Sequence, residues 1–433
     1  MLLINELIFL KNEGIVINTE NGVQRVYFAL ALLSGDNLGL NCLFGLHESF
    51  NSNHYCRFCR EHKDQMEKQL KENNTMIRNK KNYEADLLNL QNGIKQGCFF
   101  HDIPNFHLTV NLYGDLMHDL FEGIWRYELP LILKHIVENK NNLLSLDMLN
   151  DRIKYFNFGS CSSNNTFPKF TQANLATGYY TCTSSEMRVL VTTLNLIIGD
   201  IVPESNKYWN LYLSLRKITC ILTNNDFDEE SIKKLETLIS EHHQSYLNLF
   251  VAQHLLPKFH FMIHYPRIIR TIGPMWPVSC IRYEGKHKDF KSYATVCRSR
   301  INVCYSLALK NQLMLCERFV GRRGFSTRIC KSPSIIIKLD DIKEYNFSST
   351  DTGENLSKIN SFQSAKWIEI NGIKYNLKTI LNISDVTDRD EFAEVKYILI
   401  GDDVKVFFIC QKLKIIMNIT KLTILNQTLN GAV

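Results

Sequence analysis

The chain has 433 residues, of which 45% are hydrophobic and 22% are charged, and its formal net charge is +6. This balance is typical of a globular protein and argues against a disordered or fibrous one. No uninterrupted apolar run reaches the roughly 18 residues that a membrane span needs, so we predict a soluble protein without a membrane partner. The 13 cysteines are scattered, which favours reduced thiols or metal ligands in an intracellular compartment.

The first part of the chain, residues 1–107, combines helical and strand patterns. We predict a helix over residues 1–14, a buried strand over 25–34 and a charged helix over 62–97. The strand sequence RVYFALALLS is followed by GDNLG. Asp36 is therefore either a catalytic carboxylate at the end of a strand or the N-cap of the next helix.

The middle of the chain, residues 108–250, has a mostly helical hydrophobic period and predicts an all-helical insertion. It contains the pair His242 and His243, directly after Glu241. Adjacent side chains point about 100° apart on a helix, so we predict an exposed helical turn here rather than a ligand pair.

Residues 251–331 resume an apolar pattern and then predict a long basic helix over 284–320. The tail, residues 332–433, alternates β-branched and apolar residues in short runs that are separated by Asn-Gly and Gly-Asp-Asp turn signals. These patterns predict a small β-rich C-terminal domain, either a barrel or a sandwich.

Two short motifs contain residues that bind metals. Cys56 and Cys59 form a Cys-x-x-Cys turn, which supplies half of a tetrahedral zinc site, although buried free cysteines would also fit this pattern. His260 and His264 are four residues apart and so lie on one face of a helix. Together the four residues complete a Cys2His2 set, and we predict a structural Zn²⁺ site.

Three carboxylates from distant parts of the chain are candidates for metal-dependent chemistry: Asp36, Asp115 and Glu284. Two-metal phosphodiester chemistry needs carboxylates that converge on a pair of divalent ions. Asp115 stands in DLMHD together with His118. Glu284 stands among basic residues, where it would suit a DNA phosphate, or it is an ordinary helical glutamate paired with Lys288.

A basic block follows, in which twelve Lys or Arg between residues 282 and 331 face three acidic residues, a local charge of +9. Such a block predicts a surface that binds phosphates, and a solvated helix face is the alternative. The residues that we predict to contact DNA are Arg282, Lys286, Lys288, Lys291, Arg298, Arg300, Arg322 and Arg323.

Five motifs in order resemble the core of the animal CACTA/EnSpm-like DDE transposases: GDNLG, CRFC, DLMHD with a following EG, LPKFHFMIHYP and IRYEGKHKDFK. The resemblance covers residues 1–320 and implies an RNase H-like catalytic domain interrupted by a helical insertion. It implies that Asp36 matches the second catalytic Asp and Glu284 the final catalytic Glu. Asp115 with His118 matches the D-x-x-H signature of the family.

The two cysteines match the family's Cys-x-x-Cys motif. The layout is also similar to that of the V(D)J recombinase catalytic subunit, in which a Cys-x-x-Cys motif and a later histidine pair bind zinc shortly before the catalytic Glu. Here Glu284 follows His264 by 20 residues, which agrees with that layout.

The complete family cleaves phosphodiester bonds at transposon ends with Mg²⁺ or Mn²⁺ and joins the freed 3′ hydroxyl to target DNA. Only 35 residues precede Asp36, which leaves little room for the strand that would carry the first catalytic Asp. We therefore expect an α+β protein with an incomplete, N-terminally truncated RNase H-like core and weak or no catalysis.

The expected partner is DNA, with a second copy of the chain as a further partner to test, and the expected location is the nucleus. We expect no small-molecule substrate. The alternatives are a domesticated DNA-binding protein, a zinc-stabilised interaction module and a fragment that does not fold alone.

Overall fold

The chain forms two compact units in a computed structural model. The structure describes residues 2–138, 144–158, 167–297, 301–320, 329–338, 361–370, 373–382, 392–401 and 406–412. Unit 1 comprises Met1–Asn157 and Asn164–Lys291, and unit 2 comprises Phe158–Ser163 and Ser292–Val433. Helices and strands are both present, so the protein is α+β. The units divide before the boundary at residue 332 that the sequence suggested.

Unit 1 is mainly helical. Its helices are α1 (Leu2–Asn12), α2 (Asn37–Leu43), α3 (Lys63–Met66), α4 (Lys80–Asn89), α5 (Trp125–Val137), α6 (Leu146–Tyr155), α7 (Gln172–Thr177), α8 (Ser184–Ile198), α9 (Lys207–Leu222), α10 (Glu229–Leu249), α11 (Pro257–Met262), α12 (Tyr265–Ile272) and the first part of α13 (Cys280–Val296). A π-helical segment, Met117–Ile124, runs directly into α5. The described residues between 108 and 250 are helices and loops, in agreement with their helical period.

Polar side chains determine where several of these helices begin. Thr183 and Glu186 form a capping box at the start of α8. Asn206 accepts backbone hydrogen bonds at the start of α9, and Asp228 does so at the start of α10. Each cap satisfies N–H groups that have no partner inside the helix and stabilises it by about 1 kcal/mol.

The helical core of unit 1 is centred on Trp125, which is fully buried. Its indole N–H donates to Thr219 Oγ1 on α9 at 3.0 Å, and its ring packs edge-on against Tyr212. Helix α5 packs against α8 and α9, and α10 packs against α9 and α12. The π-helical segment packs against α5, α8 and α11, so His118 is attached to this core.

The strands among the described residues of unit 1 form a single antiparallel hairpin, β1 (Ile15–Thr19) with β2 (Gly22–Val26). The predicted buried strand over 25–34 is wrong, because β2 ends at Val26 and residues 27–36 have no regular structure. A buried strand needs neighbours for its backbone N–H and C=O groups, and β1 pairs with only the first part of the predicted segment. The RNase H-like core therefore stays a prediction.

Two predicted helices are shorter than expected. Within the predicted helix 62–97, the structure has α3 and α4, because Asn79 caps a new helix with its side chain on the backbone of Asn82. The predicted basic helix 284–320 consists of α13 and then α14 (Val303–Val320). Residues 298–300, between these two helices, lie outside the described residues.

Unit 2 contains α14 and the β-rich tail, whose β character agrees with the prediction. Its strands are β3 (Ile329–Lys331), β4 (Ser334–Ile337), β5 (Phe362–Ala365), β6 (Trp367–Ile370), β7 (Ile373–Asn376), β8 (Ile380–Asn382), β9 (Phe392–Ile400) and β10 (Val406–Lys412). One antiparallel sheet has the order β10-β9-β5-β4 with β8 also on β9, and another has the order β3-β6-β7. Ile368, Val395 and Ile398 form the centre of a shared apolar core.

Candidate metal centre and the Asp115–His118 site

The structure brings together the four residues of the predicted zinc site, Cys56, Cys59, His260 and His264. Their ligand atoms all lie within 4.8 Å of one another. All four residues are at most 1% exposed. The cysteines and the histidines are about 200 residues apart in the chain, so the cluster is a product of the tertiary structure.

The separations between the ligand atoms fit a tetrahedral metal ion. Cys56 Sγ lies 3.6 Å from His264 Nε2, and Cys59 Sγ lies 3.3 Å from His260 Nε2. The two Nε2 atoms are 3.2 Å apart. Zinc bonds of about 2.0–2.3 Å place tetrahedral ligand atoms about 3.3–3.8 Å apart. The cluster could therefore hold a metal ion such as zinc without rearrangement of its backbone.

The Cys-x-x-Cys turn is held from inside by Arg57, a fully buried cation. Its guanidinium donates to Asn37 Oδ1 at 2.6 Å and to the carbonyl oxygen of Tyr113 at 3.2 Å. It also lies over the rings of Phe58 and Phe261. A buried charge requires such partners, so Arg57 fixes the turn to both α2 and the segment before the π-helix.

The pKa values of the two thiols are shifted in opposite directions. Burial raises a thiol pKa, but the hydrogen bond from Cys59 and the nearby imidazoles of His260 and His264 bring the pKa of Cys56 well below its ordinary value. Burial and the neighbouring Cys56 raise the pKa of Cys59 well above it. Because a metal binds thiolates, its binding would release the protons that the two thiols still carry.

The two histidines of the cluster differ in the hydrogen-bond partner of their Nδ1 atom. His264 Nδ1 lies 2.5 Å from Glu72 Oε1, and Arg267 Nε donates to the same oxygen at 2.8 Å. His260 Nδ1 is buried and has no hydrogen-bond partner among the described residues.

A second group of side chains surrounds Asp115, which is 1% exposed. Its Oδ1 accepts hydrogen bonds from Ser279 Oγ at 3.0 Å and from the backbone N–H of Cys280 at 2.8 Å. Its Oδ2 accepts from the backbone N–H of His118 at 3.1 Å and lies 2.5 Å from His118 Nδ1. Asp115 thereby joins the beginning of α13 to the π-helical segment.

His118 stands between two carboxylates. Its Nδ1 faces Asp115, and its Nε2 lies 3.4 Å from Glu284 Oε1 on α13. Burial lowers the pKa of His118, but hydrogen bonds and charge from Asp115 and Cys280 outweigh burial and raise that pKa to about 10. Asp115, His118 and Cys280 have ligand atoms close enough to share a metal ion. The structure thus brings Asp115, His118 and Glu284 together.

Asp36 is at the N-cap of α2, the second of the two roles that its sequence allows. Its Oδ1 accepts a hydrogen bond from the backbone N–H of Gly39 at 2.7 Å, and the residue is exposed.

A different carboxylate, Asp119, lies between α2 and α12 and is fully buried. It accepts hydrogen bonds from Asn37 Nδ2 at 2.6 Å and from the hydroxyl of Tyr265 at 2.7 Å.

Asp119 was not predicted as a buried residue, although it is part of DLMHD, because the motif does not indicate which of its carboxylates is buried.

A hydrogen-bonded network that includes two histidines of α10 was also not predicted from the sequence. His242 and His243 are fully buried, so the predicted exposed helical turn is wrong. His242 Nε2 lies 2.9 Å from Glu128 Oε1, and His243 Nε2 lies 2.9 Å from the carbonyl oxygen of Phe259. These two partners, on α5 and α11, explain the burial.

The predicted DNA-binding residues fall into two groups. Arg282, Lys288 and Lys291 on α13 are exposed, and Lys286 is half-buried and pairs with Asp289 at 2.8 Å. The remaining predicted residues, Arg298, Arg300, Arg322 and Arg323, lie outside the described residues.

No family model, no curated protein and no solved structure matches this chain. The family resemblance therefore depends on the five sequence motifs. Among the described residues, none of the helices combines the length and the apolar character that crossing a membrane requires.

Proposed function

We propose that this chain is a transposase-derived protein of the CACTA type, in which a structural zinc ion holds a DNA-binding helix in place. The observation that carries the proposal is the Cys56, Cys59, His260 and His264 cluster, whose separations suit zinc. The set of two thiols and two imidazoles favours zinc over Mg²⁺ or Ca²⁺, which prefer oxygen ligands. Glu284 follows this cluster on the next long helix, as the resemblance implies.

DNA is the proposed partner, and the basic residues of α13 are its proposed contacts. Glu284, Lys288 and Lys291 are at positions i, i+4 and i+7, so they share one helix face. The two lysines are exposed. A DNA phosphate on that face would be held by both lysines and would lie close to Glu284. We propose the nucleus as the location because the proposed partner is DNA.

We propose that the remaining carboxylate pair of the RNase H-like chemistry is Asp115 with Glu284, and that Asp36 acts as a helix cap. Catalysis would be weak, for a physical reason. Both oxygens of Asp115 already accept hydrogen bonds, and a protonated His118 between the carboxylates would repel Mg²⁺ or Mn²⁺. Glu284 is half-exposed and remains available to a cation.

The DNA proposal is tested with a pair of lysine-to-glutamine changes on α13, Lys288→Gln with Lys291→Gln. The matched control removes the same charge from α10, with Lys233→Gln and Lys234→Gln, where both residues are exposed. Binding to a duplex is measured over a range of salt concentrations. We expect the α13 variant to bind more weakly and to lose about 1 unit of salt slope per lysine, and the control to bind as the unchanged protein does.

Equal weakening in both variants would reject α13 as the binding surface. An absence of DNA affinity at low salt, together with one bound zinc per chain, would favour the second candidate, a zinc-stabilised interaction module. That candidate is favoured by the burial of the metal cluster, which suits a structural role.

The catalytic proposal is tested by incubating the protein with DNA and Mg²⁺ or Mn²⁺. We expect little or no nicking or strand joining. Robust activity that Glu284→Gln abolishes and Asp36→Asn leaves intact would show an active enzyme and would reject the weak-catalysis proposal. Activity that Asp36→Asn abolishes without loss of stability would show that Asp36 does more than cap α2, because Asn also caps a helix well.

A further inference from the structure

Glu72 is a largely buried carboxylate directly behind one of the metal-binding histidines. Its side chain is 14% exposed. Its Oε1 lies 2.5 Å from His264 Nδ1 and accepts a hydrogen bond from Arg267 Nε at 2.8 Å. It belongs to the segment between α3 and α4 and to none of the sequence motifs that predicted the zinc site.

We propose that Glu72 is a positioning residue that sets the metal affinity of the centre by fixing the tautomer and the ring orientation of His264. This inference rests on the proposed zinc centre. A neutral imidazole carries one N–H, so donation from Nδ1 to Glu72 leaves Nε2 unprotonated. Nε2 is the atom that faces Cys56 Sγ at 3.6 Å and His260 Nε2 at 3.2 Å. The lone pair thus points to the place of the metal.

The carboxylate also makes His264 a stronger ligand. A carboxylate that accepts the other N–H of a metal-bound imidazole raises the electron density of the ring and restricts its rotation. The pairing is charge-assisted, which makes it shorter and stronger than a hydrogen bond between neutral groups. A ring already oriented before the metal arrives loses less freedom when it binds.

His260 provides an internal comparison. Its Nδ1 has no hydrogen-bond partner among the described residues, although the ring is fully buried. Packing against Tyr55 and Phe261 positions this ring instead. The two histidine ligands are therefore positioned by different means, and only His264 should respond to the loss of a carboxylate.

Arg267 holds Glu72 from the first turn of α12. Because the guanidinium and the imidazole share Oε1, Glu72 could instead serve only to attach α12 to the segment between α3 and α4. The two roles are separable. Arg267→Met removes the link that Glu72 makes to the first turn of α12 and keeps the contact with His264 at the N-cap of that helix, whereas Glu72→Ala removes both.

The experiment measures zinc affinity by competition with a coloured chelator for the unchanged protein, Glu72→Ala, Glu72→Gln, Arg267→Met and a control, Asp64→Asn. Asp64 is an exposed carboxylate on α3. We expect Glu72→Ala to weaken zinc binding by about 10–100-fold. Glu72→Gln should weaken it less, because its amide oxygen still accepts from Nδ1. Arg267→Met should have a smaller effect than Glu72→Ala, and the control none.

Two further readouts separate positioning from a structural role. The absorption of bound Co²⁺ should keep the pattern of two thiolates and two imidazoles in every variant. In thermal unfolding, Glu72→Ala should lower the midpoint of the zinc-loaded protein more than that of the chelator-treated protein. A structural attachment would lower both midpoints equally.

The inference is overturned if Glu72→Ala binds zinc as tightly as the unchanged protein, or if Arg267→Met weakens binding as much as Glu72→Ala. Should Glu72→Ala fail to fold, Glu72→Gln has nearly the same shape and must still bind zinc more weakly than Asp64→Asn does. If the unchanged protein binds no stoichiometric zinc or Co²⁺, the metal centre and this inference fall together. Normal metal binding in all variants rejects the inference alone.

Discussion

At the scale of single residues, Asp115 is a buried carboxylate that joins three other residues. Its two oxygens accept four hydrogen bonds from Ser279, Cys280 and His118. A buried carboxylate with this many donors strongly favours its charged form, and the pKa of Asp115 is lowered despite burial, which opposes the shift. The charge on Asp115 in turn stabilises the protonated form of His118.

The first prediction concerns the pH dependence of this pair. The pKa of His118 is raised from 6.5 to about 10 in the folded protein. A raised pKa contributes stability that is fully present below pH 6.5 and is lost as the pH rises towards about 10. We expect the difference in the free energy of unfolding between the unchanged protein and His118→Gln to shrink across this range.

Urea unfolding at a series of pH values measures that difference, and other groups that titrate in the same range cancel in the comparison. A difference that stays constant from pH 6.5 to 10 would mean that His118 is neutral when folded.

At the scale of secondary structure elements, α5 and α10 are joined by a polar contact inside the helical core. Glu128 and His242 are both fully buried, with 2.9 Å between Oε1 and Nε2. Burial raises the pKa of Glu128 although His242 lowers it. Burial also lowers the pKa of the neighbouring His243, with His242 adding to the shift, to about 3. The network therefore avoids several charges in a low-dielectric interior.

The second prediction follows from this contact. His242→Ala leaves Glu128 buried without its partner and removes a packed ring, so we expect a loss of about 3–5 kcal/mol in the free energy of unfolding. Glu128→Gln should cost much less, because the amide can still donate to His242 Nε2. Denaturant unfolding of both variants gives the comparison. Equal losses would indicate that the contact is an ion pair rather than a neutral hydrogen bond.

At the scale of the whole molecule, the cluster of two cysteines and two histidines joins two segments that are far apart in the sequence. Cys59 and His260 are 201 residues apart in the sequence, and the helices of the core lie within that stretch of chain. A metal bound there would contribute folding free energy, because the site does not exist in the unfolded chain. Both cysteines and both histidines belong to unit 1.

The third prediction is that zinc removal destabilises the two units unequally. After chelation we expect amide hydrogen exchange to accelerate in the Cys-x-x-Cys turn and in α11 and α12. Exchange in β5 and β9 of unit 2 should stay unchanged. Mass spectrometry of exchanged peptides measures both regions in one sample, and re-addition of Zn²⁺ is the control. Uniform acceleration throughout the chain would mean that the two units unfold together.

Sequence patterns alone were sufficient for features that depend on local spacing. Cys-x-x-Cys and two histidines four residues apart predicted the four residues that the structure brings together, because each short spacing keeps its two side chains near one another. The hydrophobic period over residues 108–250 predicted helices, and the alternation of apolar residues in the tail predicted strands. Both patterns also depend on neighbours in the chain. For Asp36 the local pattern was compatible with both a catalytic carboxylate and a helix N-cap, and it did not distinguish the two roles.

The tertiary structure decided every question about which distant groups meet. Only the folded chain joins Cys56 to His264, places Glu72 behind that histidine and sets His118 between Asp115 and Glu284. It also buries His242 against Glu128, where spacing along α10 predicted exposure. The physical reason is that burial and convergence depend on partners from other elements, whereas propensity and periodicity depend on neighbours in the chain.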